Sequence, residues 1–214
     1  LESRVSEVAN RSMDIGFTLE DRWQAGQLSG QYGYDYFGRR GVNARQDDFF
    51  LSRLLGSTQS LDDGEENESA LFATANRDFN FASVHLGGRW TYFTQSDSKS
   101  EKISQSRGSY FLTVRKPLGD WNLSLSYGTS SRFASLTERL SIGTTGRGQV
   151  VGNQNLLPED SSELDIGIDY QSERLAIELH RFAMDIDDFI ERMAQSQVKE
   201  TAYESQIRRL KSDD

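Results

Sequence analysis

The 214-residue chain holds several groups of side chains able to do chemistry, and each has a structural alternative. Arg132, Arg139 and Arg147 fall in one glycine-, threonine- and asparagine-rich stretch. Guanidinium groups gathered there would draw in an anionic ligand by charge and bidentate hydrogen bonds; equally, a loop of that size ordinarily carries such a number. The two histidines, His85 and His180, lie near Arg89 and Glu178 on the polar side of alternating stretches. They read as a ligand or metal site, or as solvated residues of a wet face. Asp185, Asp187 and Asp188, with Glu191 beyond, follow the alternation of a calcium loop without its glycine turn and terminal glutamate. Asp62, Asp63, Glu65 and Glu66 could attract divalent cations, although such a run is ordinarily a solvated loop. No spacing singles out a catalytic set, and no cysteine supplies a thiolate. The residues therefore designate no catalytic group, no metal site and no cofactor.

The elements that position these groups are strands. Hydrophobic residues make up only 36% of the chain, yet aromatics reach 11% and glycines number 18, a composition suited to strands that bury a single face. Mean hydropathy is -0.65, low enough for disorder, but disordered chains are poor in aromatics. The net charge of -9 repels phosphate backbones and excludes nucleic acid as a partner. No run approaches the roughly eighteen apolar residues of a membrane helix. That leaves open a membrane barrel, whose strands alternate and give almost no hydropathy signal. Leu1-Glu2-Ser3-Arg4 is polar from the outset, with neither a start methionine nor an export signal, so a barrel reading makes this a mature or cut-out piece.

Alternation begins at Met13, with Ile15, Phe17 and Leu19 on its face, and returns after a turn at 24–26 in Leu28, Gly30, Tyr32, Tyr34 and Tyr36. Residues 38–66 read as a long charged connection, with a short helix at Phe49-Phe50-Leu51 and Leu54-Leu55. A strand over 68–79 precedes one carrying Val84, Leu86, Trp90 and Tyr92, and 95–106 reads as a polar loop. Tyr110, Leu112 and Val114 mark the next strand, and Trp121, Leu123, Leu125 and Tyr127 the one after. A loop over 130–161 leads to Leu164, Ile166, Ile168 and Tyr170. The last strand covers 174–187, where a phase slip between Leu179 and Phe182 predicts a bulge. Short connections alternate with long ones. The pattern predicts an all-β antiparallel meander of about eight strands, part of a transmembrane β-barrel with long loops on one rim. Residues 1–10 read as a polar lead-in, 11–190 as the partial barrel, and 191–214 as a charged tail or a truncated loop or strand. Leu164, Ile166, Ile168, Leu123, Leu125, Tyr32 and Tyr34 should share a lipid-side face, with Glu163, Asp165, Asp169, Ser124 and Gln31 opposite.

Gly152-Asn153-Gln154-Asn155-Leu156-Leu157-Pro158-Glu159, followed by Asp165-Ile166-Gly167, resembles the GN-x-x-L-x-P-E stretch of TonB-dependent outer-membrane receptors. Upstream, Ser131-Arg132-Phe133-Ala134-Ser135-Leu136-Thr137-Glu138-Arg139 is similar to that family's FR-x-P-x-L-x-E segment, with alanine near the usual proline. The resemblance implies a barrel of about twenty-two strands around an N-terminal plug, of which this chain covers a part. It further implies a place in the Gram-negative outer membrane, in contact with its lipid. The activity implied is uptake of a scarce nutrient, by default a ferric siderophore. Energy would come from the TonB complex, engaged by an N-terminal region outside these residues. Gly152, Asn153, Asn155, Leu156, Pro158 and Glu159 are expected to fix re-entry of the loop into the sheet. A passive porin-like channel and a soluble carbohydrate-binding β-module stand as alternatives.

Overall fold

The computed structural model describes residues 4–145 and 148–191. In chain order the elements are β1 (Arg4–Ala25), β2 (Leu28–Phe50), β3 (Arg53–Phe79), β4 (Ala82–Asp97), β5 (Ser100–Leu118) and β6 (Trp121–Arg132). Then come α1 (Leu136–Leu140), β7 (Ile142–Thr145), β8 (Gly148–Val151), β9 (Glu159–Gln171) and β10 (Ala176–Asp187). Eight strands form one antiparallel sheet in the order β1-β2-β3-β4-β5-β6-β9-β10, and β7 and β8 form a separate ribbon. Every neighbour in the large sheet is a neighbour in sequence, apart from the excursion between β6 and β9. This is the predicted meander. Among the described residues the sheet is open, since β1 is joined only to β2 and β10 only to β9.

Register confirms the two faces. Leu19 opposes Tyr34, Tyr34 opposes Leu71, and Leu71 opposes Trp90, making one apolar row across four strands. A second row runs from Leu123 through Ile168 to Leu179. Phe17, Leu71, Trp90, Leu125 and Leu179 remain between 49% and 66% exposed, with no second sheet packed on them among the described residues. An apolar face this large requires an external apolar medium. The soluble-sandwich reading fails on this point. Asp165 pairs with Ser126, and Gln31 with Thr74, on the opposite, polar face.

Four expectations are corrected. The stretch over 38–66 is not a connection with a helix but the continuation of β2 and β3 into a long hairpin. Phe49 opposes Leu54 and Phe50 opposes Arg53 across a two-residue turn, in which Leu51 and Ser52 have φ of 48° and 65°. The strands also reach to Asp97 and from Ser100, so little of 95–106 is loop. Likewise β1 starts at Arg4, inside the presumed lead-in, where Ser6 donates to Asp48 at 2.5 Å. Beyond the membrane-length section both faces are wet, so the ladder persists while the apolar alternation that would reveal it stops. Finally, β10 pairs without a slip from Ala176 to Asp187. The phase change instead places Phe182 and Met184 on the polar face, opposite Asp165 and Glu163. Residues 192–214, most of the expected tail, lie outside the described residues.

Glycines secure the register by sitting opposite rings. Gly33 pairs with Phe72, Gly87 with Phe111, and Gly167 with His180, each on the polar face. On the apolar face Gly30 pairs with Trp23 and Gly108 with Trp90. A Cβ on Gly87 would stand 2.6 Å from the Phe111 ring, and one on Gly33 2.5 Å from Phe72. The bare backbone lets the ring of the neighbouring strand lie flat across it, covering hydrogen bonds that a one-residue slip would expose. Replacing Gly87 with valine should therefore lower the unfolding free energy of the detergent-folded barrel by about 1–3 kcal/mol. Gly56→Val, at a position with open space around it, should change it by less than about 0.5 kcal/mol. Denaturant titration of both variants is the check; equal losses would refute the ring-on-glycine account.

Candidate functional site on the long-loop rim

Two-residue turns and one short loop at 172–175 close one rim of the sheet, while the segment 133–158 rises from the other between β6 and β9. It folds back over the polar face. Phe133 stacks on Phe93 of β4 with ring centroids 4.6 Å apart and planes 5° from parallel. The next residue, Ala134, is completely buried, and its carbonyl accepts from Gln95 Nε2 at 3.2 Å. Ser135 then caps α1. Its hydroxyl accepts from the Glu138 amide at 3.3 Å, and Glu138 Oε2 accepts from the Ser135 amide at 2.8 Å, a reciprocal capping box. Leu136 and Leu140 of this short helix pack on Leu61, Val42 and Ala44 of the projecting β2–β3 hairpin.

The quoted motif residues meet at the foot of this segment. Arg132, the last residue of β6, donates through Nε to Glu159 at 2.5 Å and through Nη1 to Glu138 at 3.0 Å. Glu159, the first residue of β9, also accepts from the Ile190 amide at 2.6 Å. One guanidinium thus ties together the ends of β6 and β9 and the start of α1, and Glu159 adds the chain beyond β10. The Gly152 amide donates to the Ser141 carbonyl at 2.7 Å and the Asn153 amide to the Glu138 carbonyl at 2.9 Å. A Cβ on Gly152 would lie 2.5 Å from the Arg139 carbonyl, so only glycine permits this approach. Asn153 Oδ1 accepts from the Asn155 amide at 3.0 Å, an Asx turn, and Pro158 is fully buried.

Arg139 is 1% exposed. Its Nη2 donates to Gln105 Oε1 at 2.6 Å and to the Leu156 carbonyl at 2.8 Å, while Nε and Nη1 have no partner among the described residues. Burial holds its pKa below the ordinary arginine value. Arg132 is shifted the other way, because Glu159 and then Glu138 hydrogen-bond its charged form. Glu159 is lowered to about 2, chiefly by the Arg132 hydrogen bond. At Glu138 burial alone would raise the pKa, but hydrogen bonds from Arg132 and Ser135 outweigh it and the net shift is downward. Arg147 lies outside the described residues.

Below the loop, the polar face carries a row of ion pairs. Arg89 on β4 pairs with Asp35 on β2 and with Glu68 on β3, the latter at 3.0 Å. Arg107 on β5 pairs with Asp160 on β9 at 3.1 Å, and Ser131 donates to the same carboxylate at 2.6 Å. The histidines are not brought together. His85 packs edge-on against Phe111 at 4.8 Å, whereas His180 meets Asp169 at 3.1 Å, four strand spacings or about 19 Å away along the sheet. No group of three or more His, Asp or Glu is placed to hold a metal ion among the described residues, Asp185, Asp187 and Asp62 included. Sequence reasoning missed Gln95, Gln105 and Phe93. All three sit on the polar side of strands, and only their strand parity hinted at a role.

An open meander with an unburied apolar face, a charged inner face and one rim capped by an infolded loop is a sector of a membrane barrel. The chain matches the TonB dependent receptor-like β-barrel family over residues 4–209. It therefore belongs to that family. A search of curated protein sequences finds no match. Among solved structures it resembles the copper transporter OprC with a TM-score of 0.70 and 17% identity, covering 87% of this chain and 32% of that one. It also resembles the Serratia marcescens hemophore receptor HasR, solved with its hemophore HasA and heme, at TM-score 0.63 and 16% identity over 86% of this chain and 34% of that one. For the unliganded ferric citrate transporter FecA the TM-score is 0.61 and identity 17%, over 86% and 29% of the two chains. The chain thus spans about a third of the length of the structures it matches.

The Glu159 shift has a pH consequence. Its folded pKa of about 2 lies below the ordinary glutamate value of roughly 4.3, so the clamp contributes fully above that value and loses strength as pH falls toward 2. Amide exchange at Gly152 and Asn153, corrected for intrinsic rate, should show constant protection from pH 7 to 5 and decline below about pH 4. Glu159→Gln should leave protection low and without that pH dependence. Unchanged protection in the variant would show that the loop is held by other contacts.

Proposed function

We propose that this chain is a barrel sector of an outer-membrane receptor that takes up a scarce nutrient with energy delivered by TonB, a ferric siderophore being the default cargo. The observation that supports it most is the meeting of the family's motif residues, Arg132, Glu138, Gly152, Asn153 and Glu159, at the foot of a loop folded over a wet inner face. The family is one of transporters and receptors, which favours transport over catalysis. The apolar face meets outer-membrane lipid, and contact with the plug and with TonB belongs to parts of the receptor N-terminal to this segment.

In this reading Gly152, Asn153, Asn155, Leu156, Pro158 and Glu159 fix loop re-entry. Arg132 and Arg139 serve the ligand indirectly. Arg132 is engaged by Glu159 and Glu138, and Arg139 through Nη2 by Gln105 and the Leu156 carbonyl, so they position the loop that a ligand would meet. Arg147 is retained as a direct-contact residue.

Cells carrying the complete receptor should accumulate iron from at least one labelled ferric siderophore, and deletion of TonB should abolish it. Arg132→Ala should reduce uptake several-fold while leaving receptor abundance in the outer membrane within twofold. Uptake that persists without TonB would indicate a passive channel. The membrane placement has its own check: Leu125→Arg on the apolar face should destabilise the lipid-folded barrel by about 2–4 kcal/mol, and Ser126→Arg, one residue along on the polar face, by less than about 1 kcal/mol. Equal costs at the two positions would contradict it.

A further inference from the structure

At the short-turn rim the apolar face ends in an aromatic belt. Phe79 and Phe81 lie 5.8 Å apart where β3 turns into β4, and Trp121 and Tyr170 lie 4.8 Å apart across β6 and β9. Such belts mark the level of lipid headgroups. Two cations stand in this one. Arg77 opposes Val84, Val84 opposes Val114 and Val114 opposes Leu125, so the arginine belongs to the apolar face. Lys116 opposes Leu123 on the same face. The Arg77 guanidinium lies 4.6 Å over the Phe79 ring, which holds it at the belt. No ion pair joins Arg77 or Lys116 to a carboxylate among the described residues. Asp21, the acid that β1 presents on this face opposite Tyr32, already accepts from the Tyr32 hydroxyl at 2.8 Å. Asp120 and Glu173 lie in the turns beyond the strands. Arg181, opposite Ile166 on the same face, is three strand spacings from β5, about 14 Å, and takes no part. In a chain of net charge -9, this edge of the apolar face is positive.

A lone cation at a lipid boundary needs no partner, because a long side chain can reach past the boundary to water. The placement of this pair asks for more. The two side chains rise from β3 and β5, two strand spacings or about 10 Å apart. Between them β4 presents only Ala82 and Val84, a low strip walled by longer side chains. A phosphodiester above the strip would accept charge-assisted hydrogen bonds from both cations. Its acyl chains would lie along the strip on Val84, Leu86 and Val114, continuing the lipid contact that the whole face makes. Headgroup charge then decides the preference. An ethanolamine headgroup brings its own cation to an edge that is already positive, where Asp21 is engaged; an anionic headgroup brings none. From this we infer that Arg77 and Lys116 form a binding site for the phosphate of an anionic glycerophospholipid. Short turns face the periplasm in barrels of this layout, so the lipid belongs to that leaflet. The site depends on the barrel and not on the cargo.

The test is native mass spectrometry of the complete purified receptor in detergent, titrated with phosphatidylglycerol or with phosphatidylethanolamine of the same acyl chains. The first phosphatidylglycerol should bind about fivefold more tightly. Arg77→Gln with Lys116→Gln should bring that preference below about twofold, whereas the charge-keeping exchange Arg77→Lys with Lys116→Arg should retain most of it. The control removes the same charge from the other face of the same rim. Arg22→Gln with Arg115→Gln, opposite Gln31 and Ser83 on the polar side, should leave the preference unchanged. Equal binding of the two lipids by the native receptor would overturn the inference and leave both cations reaching to water. An equal loss in the two double variants would also overturn it, because the effect would then belong to net charge. Glycerol 1-phosphate in tenfold excess should not displace the lipid; displacement would mark a site for free phosphate and overturn the lipid assignment. None of these readings involves TonB, so loss of TonB dependence in the uptake assay would leave the lipid site standing.

Discussion

The backbone ladder carries this fold because almost nothing else can. A soluble domain of similar size is organised by a core, but here the one cluster of mutually packed buried apolar residues among the described residues is Leu61, Leu136 and Leu140, away from the membrane-length strands. Along those strands most of the large apolar side chains point outward, Phe72, Phe111, Phe182 and Met184 being exceptions. Inter-strand N–H to C=O bonds therefore hold the sheet, and in hydrocarbon, where each unmet group costs on the order of several kcal/mol, they do so strongly. The same constraint explains why β1 and β10 cannot remain edges in a bilayer. Their outer N–H and C=O groups need further strands, as expected of a chain spanning about a third of the barrel structures it resembles.

A ladder without a core is free to slip, and two devices oppose this. One is the fit of rings over glycines, which recurs on both faces and gives the high glycine content a purpose. The other is the ion-pair row of the inner face. Arg89 reaches Asp35 on β2 and Glu68 on β3, so a slip of β4 against β3, or of β3 against β2, would break a charge pair as well as hydrogen bonds. Isolated surface pairs contribute little to stability. A guanidinium shared between two carboxylates on separate strands does more for register than for net stability, because its geometry is met in only one alignment.

Much of the sheet was legible from residue order because alternation shows wherever one face is wet and the other is not. Met13 to Leu19, Trp121 to Tyr127 and Leu164 to Tyr170 all satisfy that condition. The hairpin arm over residues 40–64 does not, since water bathes both its sides, and a ladder stapled by polar pairs such as Ser6–Asp48 then reads as loop. On β10 the alternation misled for a different reason. Phe182 and Met184 continue an apolar rhythm but on the opposite parity, and sequence cannot distinguish a bulge from a change of face. The helix α1 had a readable signal in Ser135-Leu136-Thr137-Glu138, the spacing of a capping box, but its five residues are too few to show periodicity. Gln95 and Gln105 were beyond reach because their importance exists only once the loop lies on them.

The Arg132 clamp differs from the rest of the structure in being local in sequence yet global in effect. Arg132, Glu138 and Glu159 lie within one excursion, so closing it costs little loop entropy, which grows only slowly with length. Through Glu159 and the Ile190 amide the same excursion also holds the chain leaving β10. The rim segment is therefore not a loop attached to the sheet at two points. It is a cap whose position is set by the ends of three adjacent strands, β6, β9 and β10, and any change in their relative tilt must be transmitted to α1 through one guanidinium. Arg139 extends that transmission inward. Its Nη2 donates both to the Leu156 carbonyl within the cap and to Gln105 on β5, and a cap lifted by a few ångströms would lose the bond to Gln105. Lifting the cap would also part Arg132 from Glu138, while the Arg132–Glu159 bond joins only the ends of β6 and β9 and would remain.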